Sequence, residues 1–537
     1  MKSHPEDEST ASTPLLDSHK DTLDCDDRSD PPQNLSNIDV ILDQIEIGLF
    51  HYLITLSSGF CYGTGAVFFN VISFLIVTAC DLDITRENRG WLSLSVVCGL
   101  IVGSLTLGKL GDTIGRRRVL ILSSTLILFS NLASAFAVNY NMIVILGPLS
   151  GISLGGIFSN SHIYLIEFFP RSYRGISVAA MTAFVIFGGI YSCLIAMATL
   201  SHPFYIPIGS IYFSHWRLYI LVASLPTLIS LLSLFCLPDS IRYILKAKQP
   251  IQALQVIDRI NRINSFYFII KRNRHSEPKK IEKYLANWVA NNESDLNCSP
   301  SKKNETFIGH ILRFKESPFC GRLILLTIAW FGFGLAFHGL RQWLPVIIAY
   351  YINGNSCKLG YSRANLNETM SNLNQTLSNS ISCLQGSKLI NTISDILFGS
   401  CLAAPVAILC TIFINRIGRK LLFITVATLT GLSIFLIWLI DKTITAQIFA
   451  TIFTTIAVNG WIPLELWSAE LFPTELRASA VGFVNFISGL GFLLGILTFS
   501  LIFHVSCTAT LLLPAILCTF GGLLSCLLPD TTGADID

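Results

Sequence analysis

From Ile47 to Cys80 the chain carries no Asp, Glu, Lys or Arg. A soluble helix or strand has to turn a polar face to water, so an uncharged stretch of this length belongs in hydrocarbon, where about 20 consecutive apolar residues make one crossing. Similar runs recur at roughly 91–107, 119–137, 142–165, 176–200 and 218–236, then at 323–351, 393–413, 421–440, 446–467, 479–503 and 508–528. They predict twelve transmembrane helices in two groups of six. Composition agrees: charged residues are 13% of the 537-residue chain and hydrophobic residues 52%, where a soluble domain carries about 25% charged residues. That excludes a disordered, fibrous or nucleic-acid-binding protein. The lipid bilayer is the expected surrounding.

The charges that remain are sorted by segment. Residues 1–46 form an acidic arm, rich in Asp and Glu with Pro and Ser between them. Such a stretch buries too little apolar surface to fold, and it lacks the basic start and apolar core of a signal peptide. The six-helix halves span 47–238 and 323–528, with a basic central loop at 239–322 and a tail at 529–537. Within that loop, residues 250–264 read as a short amphipathic helix. Arg116, Arg117 and Arg118 follow the second run, and Arg416, Arg419 and Lys420 follow the eighth. The positive-inside rule makes these turns, the central loop and both termini cytoplasmic. The loop at 352–388 then faces a lumen or the outside. It carries sequons at Asn367 and Asn374 and two cysteines, Cys357 and Cys383. An oxidising compartment allows these to form a disulfide or to remain unpaired. No cysteine spacing resembles a metal site.

An internal repeat organises the rest. Gly115-Arg116 returns as Gly418-Arg419, and Glu167, Phe169, Pro170 and Arg174 return as Glu470, Phe472, Pro473 and Arg477, each pair 303 positions apart, as in 418 − 115. Two motifs sharing one offset imply parallel halves, related by an axis along the membrane normal.

The run Gly108-Lys-Leu-Gly-Asp112-Thr-Ile-Gly115-Arg-Arg-Arg118 resembles the signature turn of the major facilitator superfamily, with Thr113 where a basic residue is common. Further stretches resemble the synaptic vesicle glycoprotein 2 family and related sugar and organic-ion porters: Phe213-Ser-His-Trp-Arg217, the segment Pro238 to Leu245, Gly339-Leu-Arg-Gln-Trp-Leu-Pro345, and the segment Ala469 to Phe483. The resemblance implies an all-α polytopic major facilitator fold of two pseudo-symmetric six-helix halves. It also implies a conformational latch at Gly108, Asp112, Gly115, Arg116, Arg117, Glu167 and Arg174, with Gly418, Arg419, Glu470 and Arg477 in the second half. The loop at 352–388 is much shorter than the lumenal domain of the vesicle proteins.

Polar groups deep in a span are costly, and so mark candidate sites. Span ten carries Asn459, Trp461 and Glu465; span seven carries Trp330, His338, Arg341 and Trp343; span four carries Asn160, His162 and Tyr164; span one carries Tyr62 and Thr64. Together they suggest a lining for a small organic solute. An ionised Glu465 would prefer a cation or a proton, which tilts the expectation toward cationic or zwitterionic substrates, though an inner-gate salt bridge fits it too. Arg341 lies near the outer end with Asp395, which leaves open a pair between them or an arginine snorkelling to the interface. Departures from the family count as well. Thr64 and Val67 stand where the vesicle proteins have two acids, and Leu146-Gly147-Pro148 stands where many members have an arginine linked to proton coupling. Facilitated diffusion, or coupling through Glu465 and His162 alone, is then expected before ordinary proton symport. A non-transporting vesicle-type glycoprotein that regulates traffic through cytoplasmic partners of its acidic arm is the alternative. No nucleophile motif, phosphate-binding loop or metal cluster points to an enzyme or a cofactor, and a monomer is expected.

Overall fold

The computed structural model describes residues 47–271, 319–352 and 386–531, apart from 83, 85–87, 171–172, 203, 209–210, 247–248, 441, 473 and 504, together with Leu42, Asp43, Ile45 and Cys357. Twelve helices are long and apolar enough to cross a membrane. The first six are Leu49–Thr78, Arg89–Ile114, Arg116–Ala135, Tyr140–Ile166, Arg174–Leu200 and His215–Cys236. The second six are Phe319–Ile352, Ser387–Ile414, Arg419–Ile440, Thr443–Ser468, Ala480–Ile502 and Cys507–Leu527. They are called spans one to twelve below. The bundle end that bears the Gly115 and Gly418 turns is the turn end; the other is the loop end. The expected all-α polytopic fold is therefore what the chain adopts, with one addition. A two-stranded antiparallel hairpin, Tyr205–Ile208 with Ile211–Ser214, joins spans five and six at the loop end.

Lipid offers no hydrophobic drive between helices, so close backbone approach through small residues holds such a bundle together. Span one meets span five where a Cβ on Gly63 would lie 2.7 Å from the Phe184 carbonyl and one on Gly188 would lie 2.6 Å from the Gly63 carbonyl. The equivalent pair in the second half, spans seven and eleven, approaches in the same way: a Cβ on Gly495 would lie 2.6 Å from the Leu335 carbonyl. Turn geometry repeats too. Gly115 has φ 100° and Gly418 φ 94°, conformations that exclude side chains and let each span end and the next begin at a single residue.

At the turn end, ion pairs among the described residues stay inside one half. Arg116 binds Asp112 at 2.9 Å and Glu167 at 3.0 Å, and Arg117 lies 3.7 Å from Asp239. Arg117 also donates to the carbonyls of Leu234 and Phe235, which end span six without a helical partner. In the second half, Arg419 binds Glu470 at 3.1 Å. The helix expected at 250–264 runs over Pro250–Lys271. Its buried face, Ala253, Ile257, Ile260 and Asn264, has the three- and four-residue spacing of an amphipathic helix. Asn264 accepts from the backbone N–H of Phe50 at 3.0 Å and so fixes this helix beneath span one.

Contacts between the halves run from the loop end to the middle of the bundle. Ser73 of span one donates to the Gln342 carbonyl of span seven at 2.6 Å. Val97 of span two packs with Phe492 and Ile496 of span eleven. Gly90 sits so close to Ser500 that no side chain would fit there.

Candidate functional site

Span ten changes character in mid-membrane. Its α-helix stops at Ala457, a 3-10 turn covers Val458–Gly460, and a second α-helix runs over Trp461–Glu470. Pro463 has no N–H to give the carbonyl four residues back, and Gly460 lowers helical preference beside it, so the ladder tightens at this point. Just past the irregular turn, Trp461 packs against span seven and Glu465 comes near Tyr62 of the other half.

Around Trp461 four rings of span seven converge. Its centroid lies 5.4 Å from that of His338, 5.1 Å from Phe333, 5.7 Å from Phe337 and 5.5 Å from Trp330. His338 stacks on Phe492 at 4.3 Å, and Phe69 of span one reaches both Phe492 and His338. On the facing half, Tyr62 packs edge-on against His162 at 4.4 Å and against Phe158 at 5.3 Å. Glu465 is within electrostatic reach of Tyr62. Tyr62, His162, His338, Arg341, Trp461 and Glu465 each keep part of their surface accessible, although all sit within spans. These partly accessible groups on the two halves are the candidate lining of a solute site. Apolar walls with a few convergent polar groups are the usual makeup of a small-solute site.

Two charged members of this lining are unsatisfied. Among the described residues Arg341 takes no hydrogen bond or ion pair, and its guanidinium rests 5.5 Å from the Phe337 ring, beside Gly189 of span five. Glu465 likewise has no hydrogen-bond or ion-pair partner among them. The expected alternative for Arg341, a pair with Asp395, does not form; Asp395 accepts from Gln447 at 2.7 Å, within its own half.

The other candidates are buried and pack against neighbouring helices. Thr64 is buried against Thr227 of span six at 2.9 Å. Asn160 is buried and donates to the carbonyls of Leu107 and Gly156, which staples span four to span two. Tyr164 donates to the Pro238 carbonyl at 2.8 Å. Trp330 backs the Trp461 ring and donates to Ser468. Trp343 is buried near the loop end with Phe499 and Phe503. Asn459 donates to the carbonyls of Ala403 and Thr455. These six are corrections to the expected lining. Except for the Trp343 indole, which makes no hydrogen bond among the described residues, their polar groups bond to backbone carbonyls or neighbouring helices, which is how polar groups settle in a membrane interior.

Among the latch residues, Gly108 sits in ordinary contact with Ser159, and Arg174 donates to the Phe169 carbonyl at 3.2 Å. The Arg477 side chain, Asn367, Asn374 and Cys383 lie outside the described residues. Cys357 is not paired with Cys383: it is disulfide-bonded to Cys507. Span seven ends close to where span twelve begins, and the first residue of span twelve meets Cys357 there, with Thr508 donating to its carbonyl. Cys80 is disulfide-bonded as well.

Sequence reasoning missed four side chains, three of them aromatic. Phe69, Phe158 and Phe492 complete the aromatic wall, but thirty-six phenylalanines gave no means of choosing them. At the loop end Arg217, 2% exposed, binds Asp81 at 3.1 Å, donates to the carbonyls of Ala135 and Ala137, and lies over the Trp216 ring. The run Phe213-Ser-His-Trp-Arg217 therefore clasps spans one, three and six. No group of three or more metal-ligating side chains occurs among the described residues.

Known proteins share this architecture. Residues 55–365 match the family described as the Major Facilitator Superfamily. Synaptic vesicle glycoprotein 2C of Mus musculus is 24% identical over 611 aligned positions, which cover 96% of this chain and 84% of that protein. The Homo sapiens protein of the same name is 23% identical with the same coverage. Among solved structures, the xylose transporter XylE from E. coli in a partially occluded inward open conformation matches with a TM-score of 0.58 and 16% identity, over 90% of this chain and 98% of that one. At that identity the likeness speaks for the fold.

Proposed function

Since the chain belongs to the major facilitator superfamily, we propose that it is a transmembrane transporter of a small organic solute, bound between its two halves and released by their rocking. The observation that carries this reading is the central lining itself. Tyr62, His162, His338, Trp461, Arg341 and Glu465 keep part of their surface accessible within spans, and two of them, Arg341 and Glu465, are ionisable groups with no hydrogen-bond or ion-pair partner among the described residues. A chain that had kept only the scaffold would gain from replacing them by apolar residues, because unpaired charge in a low-dielectric interior is expensive. That weighs against a non-transporting regulator of vesicle traffic.

The unpaired carboxyl supports a weak preference for cationic or zwitterionic solutes. The contacts between halves favour a state closed at the loop end. The basic turns support a cytoplasmic turn end and cytoplasmic termini, with the segment 352–388 lumenal or extracellular and open to glycosylation at Asn367 and Asn374. Similarity to the vesicle proteins favours a vesicle membrane or the plasma membrane. The two Arg–Glu pairs at the turn end would serve as latches that keep each half rigid while it moves.

The test is uptake into proteoliposomes from a panel of neutral, cationic, anionic and zwitterionic solutes, with wild type, Glu465→Gln and empty vesicles in parallel. At least one solute should equilibrate faster than in empty vesicles, and Glu465→Gln should change its KM. A panel in which nothing exceeds empty vesicles overturns the reading.

A further inference from the structure

We propose that Arg341 and Glu465 form a bipolar site that selects zwitterions and holds them in one orientation, with the carboxylate toward the loop end and the cationic nitrogen toward the turn end. This deepens the transporter reading and rests on it.

The rings of His338 and Trp461 are 5.4 Å apart and so mark one level of the bundle. Spans seven and ten run in opposite directions. Arg341 is three residues beyond His338 toward the loop end, and Glu465 is four residues beyond Trp461 toward the turn end. At 1.5 Å per residue, their Cα atoms are offset by about 10 Å along the bundle axis. Helical side chains lean toward the N-terminus of their own helix. For span seven that is toward the turn end and for span ten toward the loop end, so the guanidinium and the carboxyl lean toward each other. The position of Arg341 over Phe337, one turn back, follows this lean. They nonetheless do not meet: no ion pair joins them.

Each charged group thus lacks what the solute would bring. Arg341 offers five N–H donors in a planar fork suited to a carboxylate. Glu465 would neutralise a positive nitrogen, and Tyr62 and Trp461 add ring faces that attract cations. No ion pair closes the space between them, so a small solute carrying both charges, such as an amino acid or its N-methylated betaine, would bridge the two groups. A simple cation would leave Arg341 desolvated and unpaired, and a simple anion would do the same to Glu465. The site rejects both by the cost of an unsatisfied charge.

The experiment measures binding to purified full-length protein by thermal-shift titration. The probes are glycine betaine, 3-trimethylammoniopropanoate and 4-trimethylammoniobutanoate, each beside an alkyltrimethylammonium and a carboxylate of matched length. Wild type should bind at least one zwitterion about tenfold or more tightly than either matched ion. Arg341→Gln should lose the preference over the cation alone, and Glu465→Gln the preference over the anion alone. Arg341→Lys, which keeps charge without the fork, should restore part of the discrimination, and unliganded melting curves show that each variant is folded. The proposal is overturned if wild type shows no zwitterion preference with any probe, or if Arg341→Gln keeps the preference over the matched cation. Binding with this pattern but no vesicle uptake would instead overturn the transport reading alone.

Discussion

The Nε of Arg116 lies 3.0 Å from Oε1 of Glu167, and 303 positions later Arg419 meets Glu470 at 3.1 Å. Both acids are nearly buried, with side-chain exposures of 8% and 7%. Removing either carboxylate leaves an arginine short of a charged acceptor, which costs about 1–3 kcal/mol. Glu167→Gln and Glu470→Gln should therefore both lower the melting temperature in detergent, Glu470→Gln by more, since Arg116 keeps its pair with Asp112. A fall in one variant alone would show that the two halves do not use the pair in the same way.

Gly115 and Gly418 adopt backbone angles that other residues reach only with strain of about 1–3 kcal/mol. Gly115→Ala and Gly418→Ala should both reduce the yield of monodisperse protein. Gly115→Ala should be the worse, since its new methyl would lie 3.0 Å from the Tyr243 ring. Fluorescence-detected size exclusion reads this directly, and equal wild-type profiles would contradict the turn geometry.

Arg217 is held by Asp81 and by two backbone carbonyls. Asp81→Asn leaves a buried guanidinium without its counter-charge, a change that typically costs about 3–5 kcal/mol when both groups are fully enclosed. Asp81 is 18% exposed, so the loss should fall at the low end of that range. Melting curves for Asp81→Asn and Asp81→Ala should show a clear drop in both, and unchanged stability would remove the clasp from the account.

The Cys357–Cys507 bond makes a prediction about labelling. In denatured but unreduced protein, Cys507→Ser should expose Cys357 to maleimide, while Cys383→Ser should leave it protected. Mass spectrometry of the Cys357 peptide separates the outcomes, and labelling of Cys357 only in Cys383→Ser would restore the pairing first expected.

Much of the architecture was legible because hydrocarbon imposes a length on every uncharged run, and because a shared offset of 303 marks a repeat. The two Arg–Glu pairs at the turn end were legible for the same reason: charges near span ends are few, and those at matching positions meet. The lining was half legible. Tyr62 and Thr64, Asn160 and His162, Arg341 and Trp343, and Asn459 and Trp461 are each two residues apart, which is about 200° around a helix. In every pair one member stays partly accessible and the other is buried against a neighbouring span or at the loop end. Span composition names such pairs but not the rotation that chooses between them, since these helices are apolar on nearly all sides. Cys357 could not be matched from sequence because its partner depends on which span ends lie together.

Transport between two rocking halves requires the loop end to open, and there Ser73 of span one donates to the Gln342 carbonyl of span seven. The direct test places cysteines at both positions, Ser73→Cys with Gln342→Cys, joins them with a cleavable bifunctional thiosulfonate, and measures solute uptake into proteoliposomes. Cross-linking should abolish uptake and cleavage should restore it, while either single variant treated the same way keeps it. Uptake that continues at the wild-type rate in fully cross-linked protein would contradict passage of the solute between the halves.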